Sequence, residues 1–234
     1  MRLMVVTPVD GGDLISARVT VGYMEASRLL RQVMPHDVMS PTFFFTCDIV
    51  RARNRAAAAI LREHPSVSHV LWWDDDTVPN DMAIVANMLE TGEDMIAGPY
   101  TNKRTPLRWI HKPDPDAPTA THPHVVYVGA VGFGFTITSR ACLEKMSAHA
   151  RLLVDTLNDG RVFDTPDLFG LVTRDVPGGR EMLSEDFSFC HRWRQLGGRV
   201  AMYNGPGNII GHVGTKTYSA LEMPGAHVRD NPAT

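Results

Sequence analysis

The stretch Val70-Leu71-Trp72-Trp73-Asp74-Asp75-Asp76-Thr77-Val78-Pro79 decides how this chain is read. Its first four residues are β-branched, aliphatic or aromatic and turn-formers follow, the pattern of a short buried strand. The three carboxylates then fall at the carboxyl end of that strand, which in an open α/β sheet is where ligands bind. Alternation along an extended backbone turns Asp74 and Asp76 to one side and Asp75 to the other. Such a pair offers hard oxygen ligands to Mg²⁺ or Mn²⁺, and the cation in turn can hold a diphosphate. The competing reading is a solvated acidic turn, although three adjacent carboxylates repel one another unless something cationic binds.

Outward from this stretch, the first hundred residues alternate strands with helices, which argues a mostly parallel sheet covered by helices. Strands are expected near 2–7, 38–46, 68–73 and 93–98, and helices at about 16–34, 48–64 and 79–91, with Pro79 in the first turn of the last. Residues 101–123, rich in Pro, Lys, Arg, Thr and His, read as a loop crossing the site. Val125–Val128 reads as a strand, and the glycines of Gly129-Ala130-Val131-Gly132-Phe133-Gly134-Phe135 allow close approach to a ligand or another strand. A helix over 139–149 follows, then a polar segment, 155–183, expected to be a mobile flap. A helix over 185–196 begins at Glu185-Asp186 and stops at Gly197-Gly198. Strands near 199–203 and 208–212 lead to Gly211-His212-Val213-Gly214-Thr215-Lys216. One domain is expected over 1–218, with 219–234 a loosely ordered tail.

A chain of 234 residues, 44% hydrophobic and 21% charged, fits a single globular α/β domain. The formal net charge of -3 argues against broad neutralisation of nucleic-acid phosphates. Cys47, Cys142 and Cys190 are far apart and lack CxxC spacing, which fits a reducing cytosol and disfavours structural zinc. No stretch approaches the ~20 apolar residues of a membrane span, and Met1–Pro8 reads as a strand rather than a signal peptide. The expectation is a soluble cytoplasmic protein.

Four elements carry the chemistry. The first is the Asp74/Asp76 pair. Glu185-Asp186 sits at a helix start, where the backbone dipole favours an ionised carboxylate that can serve as a base; an acidic helix cap is the plain alternative. His212 can complete a metal shell and Lys216 can pair with phosphate, or the histidine can be structural. Arg51-Ala52-Arg53-Asn54, early in the second helix, offers donors to a nucleotide or is a solvated face.

The ordered set Asp48-Ile49-Val50-Arg51-Ala52-Arg53-Asn54, the 70–79 stretch, Ile96-Ala97-Gly98-Pro99-Tyr100, Val131-Gly132-Phe133-Gly134-Phe135, Ser184–Trp193 and Gly211–Thr215 resembles small glycosyltransferases of the GT-A fold. It is most similar to the inverting family 2-like enzymes of bacteria and their phages, and the resemblance spans about 2–218. It implies a Rossmann-like α/β fold of the nucleotide-diphospho-sugar transferases, working in the cytoplasm, or the host cytoplasm if phage-encoded. The implied reaction moves a sugar from a nucleotide-diphosphate donor, with a UDP-sugar favoured, to a hydroxyl acceptor, with inversion. The acceptor, whether protein, glycan or modified DNA base, stays open.

The resemblance also implies roles. Asp74 lies near the nucleotide ribose; Asp76 ligates Mn²⁺ or Mg²⁺ together with the donor's phosphates, and His212 is a further ligand. The middle Asp75 lets either carboxylate pair take the metal. Pro8 and Asp10 hold the base, helped by Arg53 and Asn54. Asp186 is the catalytic base and Glu185 its neighbour, orienting acceptor or flap. Gly132–Phe135 forms the floor under donor sugar and acceptor, while Lys216 or Arg104 adds charge at the diphosphate. The Gly-His-Val-Gly-Thr-Lys ending also resembles that of some retaining GT-A enzymes.

Rival readings keep the same carboxylates. Nucleotidyl transfer usually shows a Gly-rich basic loop after the first strand, where this chain has Thr7-Pro8-Val9-Asp10-Gly11-Gly12-Asp13. A metal-dependent phosphohydrolase would use the acidic cluster as a two-metal site. A catalytically inactive sugar-nucleotide or glycan-binding module is the alternative outside enzymes.

Overall fold

Strand β3 (His69–Trp73) lies inside a seven-stranded sheet of order β2-β1-β3-β9-β5-β14-β7. The other strands are β1 (Leu3–Val9), β2 (Thr42–Phe45), β5 (Met95–Ala97), β7 (Val125–Val128), β9 (Phe135–Ser139) and β14 (Val200–Tyr203). The computed structural model describes residues 1–9, 24, 28–32, 42–45, 48–156, 160, 162–214 and 217–218.

The sheet is mixed rather than mostly parallel. β1 runs parallel to β2 and β3, and β14 parallel to β5, but β9 is antiparallel to both its neighbours β3 and β5, and β7 is antiparallel to β14. β9 alternates apolar and hydroxyl residues, Phe135-Thr136-Ile137-Thr138, but it is short and follows the glycine-rich run, and all five of its residues are buried, the threonines included. It follows the glycine-rich run directly, with no crossover helix to force it parallel.

Among the described residues, the helices after residue 48 begin or lie where expected, with one exception. α1 (Ile49–Glu63) is capped by Asp48, whose side chain accepts from the Arg51 N–H, and it lays Ala52, Ala56, Ala57 and Ile60 on the sheet. α3 (Arg140–His149) is capped by Ser139, and α4 (Glu185–Gln195) by Ser184, which accepts from the Phe187 N–H at 3.4 Å. α2 (Ala83–Glu90) starts later than expected, because Thr77–Pro79 is a strand, β4. Pro79 therefore pairs with Ile210 in a sheet instead of opening a helix. Of the helix expected over 16–34, residues 28–32 are helical and most of the rest lies outside the described residues.

β3 shows how the core is divided. Trp72 packs with Phe133 and Phe169 in the layer under α1, α3 and α4, and its Nε1 donates to Thr138 Oγ1 at 2.9 Å. Trp73 points to the other layer, against Phe135 and α2, and donates to the Thr77 carbonyl at 2.9 Å. Both tryptophans are core, on opposite faces as alternation requires.

Small sheets complete the chain. β15 (Ile210–Val213) pairs antiparallel with β4 and with β16 (Thr217–Tyr218), and β6 (His111–Lys112) with β8 (Ala130–Val131). The segment read as a flap forms two hairpins, β10 (Leu152–Thr156) with β11 (Val162–Pro166) and β12 (Thr173–Val176) with β13 (Gly179–Met182). The first is fastened to α1 through Asp155, which takes charged hydrogen bonds from Arg51 and Arg55. Among the described residues no helix is long and apolar enough to cross a membrane.

Candidate active site

Asp74, Asp75 and Asp76 leave β3 in a turn, with the Thr77 N–H donating to the Asp74 carbonyl at 3.2 Å and the Thr77 hydroxyl to the Gly134 carbonyl at 2.7 Å. The alternation expected of an extended segment does not apply to a turn, and Asp74 and Asp76 part company. Each joins a different group of charges.

Asp74 belongs with Arg53. The guanidinium, 1% exposed, donates from Nη2 to both Asp74 oxygens at 2.8 and 3.1 Å, and from Nη1 to Asp186 and, at 3.3 Å, to Glu185. It is also flanked by Phe133 and Phe169, whose ring centroids lie 5.5 and 5.7 Å away. Three carboxylates thus converge on one buried cation. Burial works against the guanidinium's charge, but Asp186, Asp74 and Glu185 outweigh it and hold its pKa above the ordinary value.

The same crowding acts on the acids. Asp186, on the first turn of α4, is pushed up to about 7, chiefly by burial; Arg53 opposes the shift while Glu185 and Asp74 add to it. A carboxyl poised there can take a proton near neutral pH. Asp75 is raised to about 6, again by burial first and then by Asp76 and Asp74.

Asp76 meets His212 because β4 and β15 pair His212 with Thr77, the residue after it. His212 Nε2 lies 3.4 Å from Asp76 Oδ2, and the Val213 N–H donates to the Asp76 carbonyl at 2.6 Å. His212 Nδ1 is 2.7 Å from the Thr101 carbonyl, which only accepts, so Nδ1 carries a proton and the ring is fixed with Nε2 towards Asp76. The Lys103 ammonium also donates to Asp76 Oδ2. Burial pushes Asp76 up, but His212 and Lys103 together bring it below its ordinary value.

A carboxylate oxygen and an imidazole nitrogen facing each other, the oxygen already paired with a cationic side chain, are donor types that suit a divalent cation. Among the described residues no group of three or more His, Cys, Asp or Glu side chains is placed to hold a metal.

The other expected residues fall as follows. Asn54 is 3% exposed and faces inward: its Oδ1 accepts from the Leu168 and Phe169 N–H groups, both at 2.9 Å, and its amide faces Asp167. It holds the 167–170 loop, and its burial keeps its amide turned away from any nucleotide. Arg53, equally, is consumed by carboxylates rather than offered to a base. Asp74, with both oxygens on Arg53, does not share a cation with Asp76. Gly132 is tight against protein instead of flooring a sugar, since a Cβ there would lie 2.3 Å from the Tyr100 hydroxyl. Pro8 is buried in β1 opposite Phe44, and Arg104 is exposed beside Lys103. Asp10 and Lys216 lie outside the described residues.

Two residues escaped the sequence reading. Lys103, one position before the chosen Arg104, is the cation at Asp76. Tyr100 joins the two charge groups: its ring stands edge-on to His212, centroids 5.2 Å apart, and its hydroxyl accepts from the Gly134 N–H at 2.9 Å. Burial and then the charges of Asp186 and Asp74 raise its pKa well above normal, keeping it a neutral phenol. The available signal was the pairing of Gly98-Pro99-Tyr100 with Gly132 and Gly134, glycines whose missing side chains make room for this ring.

No protein-family model matches the chain, and no curated protein matches it. Among solved structures, A197 from STIV matches at 18% identity and a TM-score of 0.53, over 91% of this chain and 86% of that one. A glycosyltransferase involved in the glycosylation of the major capsid of PBCV-1 matches at 8% identity and a TM-score of 0.33, over 62% of this chain and 63% of that one. The first likeness establishes a shared fold; the second is too slight to carry an argument.

Proposed function

We propose that the chain is a divalent-metal-dependent glycosyltransferase of the GT-A type, moving a sugar from a nucleotide-diphosphate donor, with UDP favoured, to a hydroxyl acceptor with inversion. The observation that carries this reading is the convergence of Asp74, Glu185 and Asp186 on the buried Arg53, beside an Asp76–His212 pair at the end of the same strand. The order of motifs along the chain supports it independently.

The division of labour follows from charge. Glycosyl transfer breaks the bond from the anomeric carbon to a phosphate oxygen, so negative charge grows on the diphosphate and positive charge on the sugar ring. Asp76 and His212 would hold Mn²⁺ or Mg²⁺, which would supply positive charge to the leaving diphosphate. Asp186, with its raised pKa, accepts the acceptor's proton as the hydroxyl attacks from the face opposite the leaving group. Arg53 fixes the orientation of Asp186, and Asp74 and Glu185 hold Arg53 in turn. Asp75 serves the donor from the turn. Arg104 and Lys216 serve the diphosphate, and Pro8 and Asp10 the nucleotide base.

A phosphohydrolase needs two adjacent cations bridged by carboxylates. The engagement of Asp74 by Arg53 disfavours that arrangement here.

The test is release of UDP from UDP-sugars with Mn²⁺ present, using donor hydrolysis as the readout before any acceptor is known. The proposal predicts release that is lost on chelation and in Asp76→Ala. Release unchanged by either treatment would remove the metal from the mechanism.

A further inference from the structure

Resting on that reading, we infer that Lys103 is a built-in counter-cation for Asp76, which yields its place to the divalent cation and then moves its ammonium onto the diphosphate arriving with it. Lys103 Nζ donates to Asp76 Oδ2, the oxygen that faces His212 Nε2 at 3.4 Å, while His212 Nδ1 is held 2.7 Å from the Thr101 carbonyl. The ammonium thus sits at the carboxylate oxygen that a cation shared with His212 would use.

The ammonium is held where a metal would be held, but on a movable arm. Side chains of Lys103 and Asp76 are 33% and 34% exposed, so the ammonium can swing into solvent without opening the core. Its backbone stays put. Thr101 is buried and bridged to Trp109, and the Asn102 N–H donates to the Arg108 carbonyl at 2.9 Å, with Asn102 Oδ1 accepting from the Arg108 N–H at 3.1 Å. Lys103 therefore leaves Asp76 by rotating about its own stem, and its charge remains beside the site.

An ammonium and a divalent cation on one carboxylate repel each other, so each weakens the other's hold on Asp76. Lys103 keeps the site paired when empty, and when displaced it becomes a free positive charge next to the incoming phosphates. This makes Lys103 a competitor of the metal and an ally of the nucleotide. Opposite signs for two ligands at one residue are not what a merely structural lysine would give.

The experiment measures free Mn²⁺ by electron paramagnetic resonance, and UDP affinity at saturating Mn²⁺ by calorimetry, for the wild type, Lys103→Met, Lys103→Gln and Asp76→Asn. Removing the ammonium should tighten Mn²⁺ binding about five- to tenfold, the scale set by release of one part-exposed ion pair. It should weaken UDP binding at saturating Mn²⁺ by about tenfold or more, the scale of a lost charge-assisted phosphate contact. Asp76→Asn should abolish Mn²⁺ binding. If the wild type binds Mn²⁺ and both Lys103 variants bind it no tighter, the exchange is wrong while the metal reading stands. Tighter Mn²⁺ with unchanged UDP affinity would overturn the ammonium's move to the diphosphate. No Mn²⁺ binding by any of the four folded proteins would overturn the metal reading and the exchange together.

Discussion

Asp186→Asn should abolish transfer and yet leave the protein better folded above neutral pH. The substitution keeps the shape of the side chain and removes one negative charge from the three gathered on Arg53, which retains Asp74 and Glu185. In the folded chain Asp186 titrates near 7, against an ordinary 3.8. Below the ordinary value both states hold the proton and pH has no effect through this group. Between the two values the folded state binds a proton that the unfolded state has lost, so wild-type stability falls as pH rises. Above 7 both are ionised and the difference is constant. Three units at about 1.4 kcal/mol each set a ceiling of about 4 kcal/mol. Since Asp74 and Glu185 share the guanidinium and take up part of the proton, about 2 kcal/mol is expected from this substitution alone. Urea denaturation of both proteins from pH 4.5 to 8 gives the number directly: the wild type should lose ~2 kcal/mol relative to Asp186→Asn across that range. A difference between wild type and variant that stays flat across that range would refute the reasoning, because the Arg53 ion pair would then outweigh burial and hold Asp186 ionised throughout.

Other substitutions probe the supports. Asn54→Ala leaves the Leu168 and Phe169 N–H groups buried without an acceptor, at about 2–4 kcal/mol and a fall in Tm of roughly 5–15 °C; an unchanged Tm would show that the loop finds other partners. Gly132→Ala drives a methyl into the Tyr100 hydroxyl and should cost about 1–3 kcal/mol, partly recovered in the double variant with Tyr100→Phe; equal losses in single and double variants would mean the clash lies elsewhere. His212→Ala should weaken Mn²⁺ binding by about tenfold or more, with far less effect on Tm measured without metal; a flat metal titration would make His212 structural.

The parts of the fold legible in the sequence are those with a local signal. α1, α3 and α4 carry caps at Asp48, Ser139 and Ser184, and β3 carries its apolar run into a turn. β9 was not read as a strand, because its short alternating run Phe135-Thr136-Ile137-Thr138 is joined to a glycine-rich stretch that reads as a ligand floor. The hairpins of 152–182 looked like a flap because their strands are short and polar, and what fastens the first is the long-range pairing of Asp155 with Arg51 and Arg55. In the site, residue types were read well and partners poorly. Asp76 with His212 was anticipated; the capture of Asp74 by Arg53 was not, since a buried arginine and an exposed one look alike in sequence. Lys103 differs from Arg104 only in which way its stem leaves the loop.

The most direct test of the central claim is calorimetric titration of the protein with a panel of UDP-sugars and other sugar nucleotides, first with Mn²⁺ and then with the metal chelated. The account predicts that at least one donor binds with Mn²⁺, that chelation abolishes the binding, and that Asp76→Ala abolishes it as well. A folded protein that takes up Mn²⁺ but binds no member of the panel, or one that binds a donor equally well with and without metal, would contradict it.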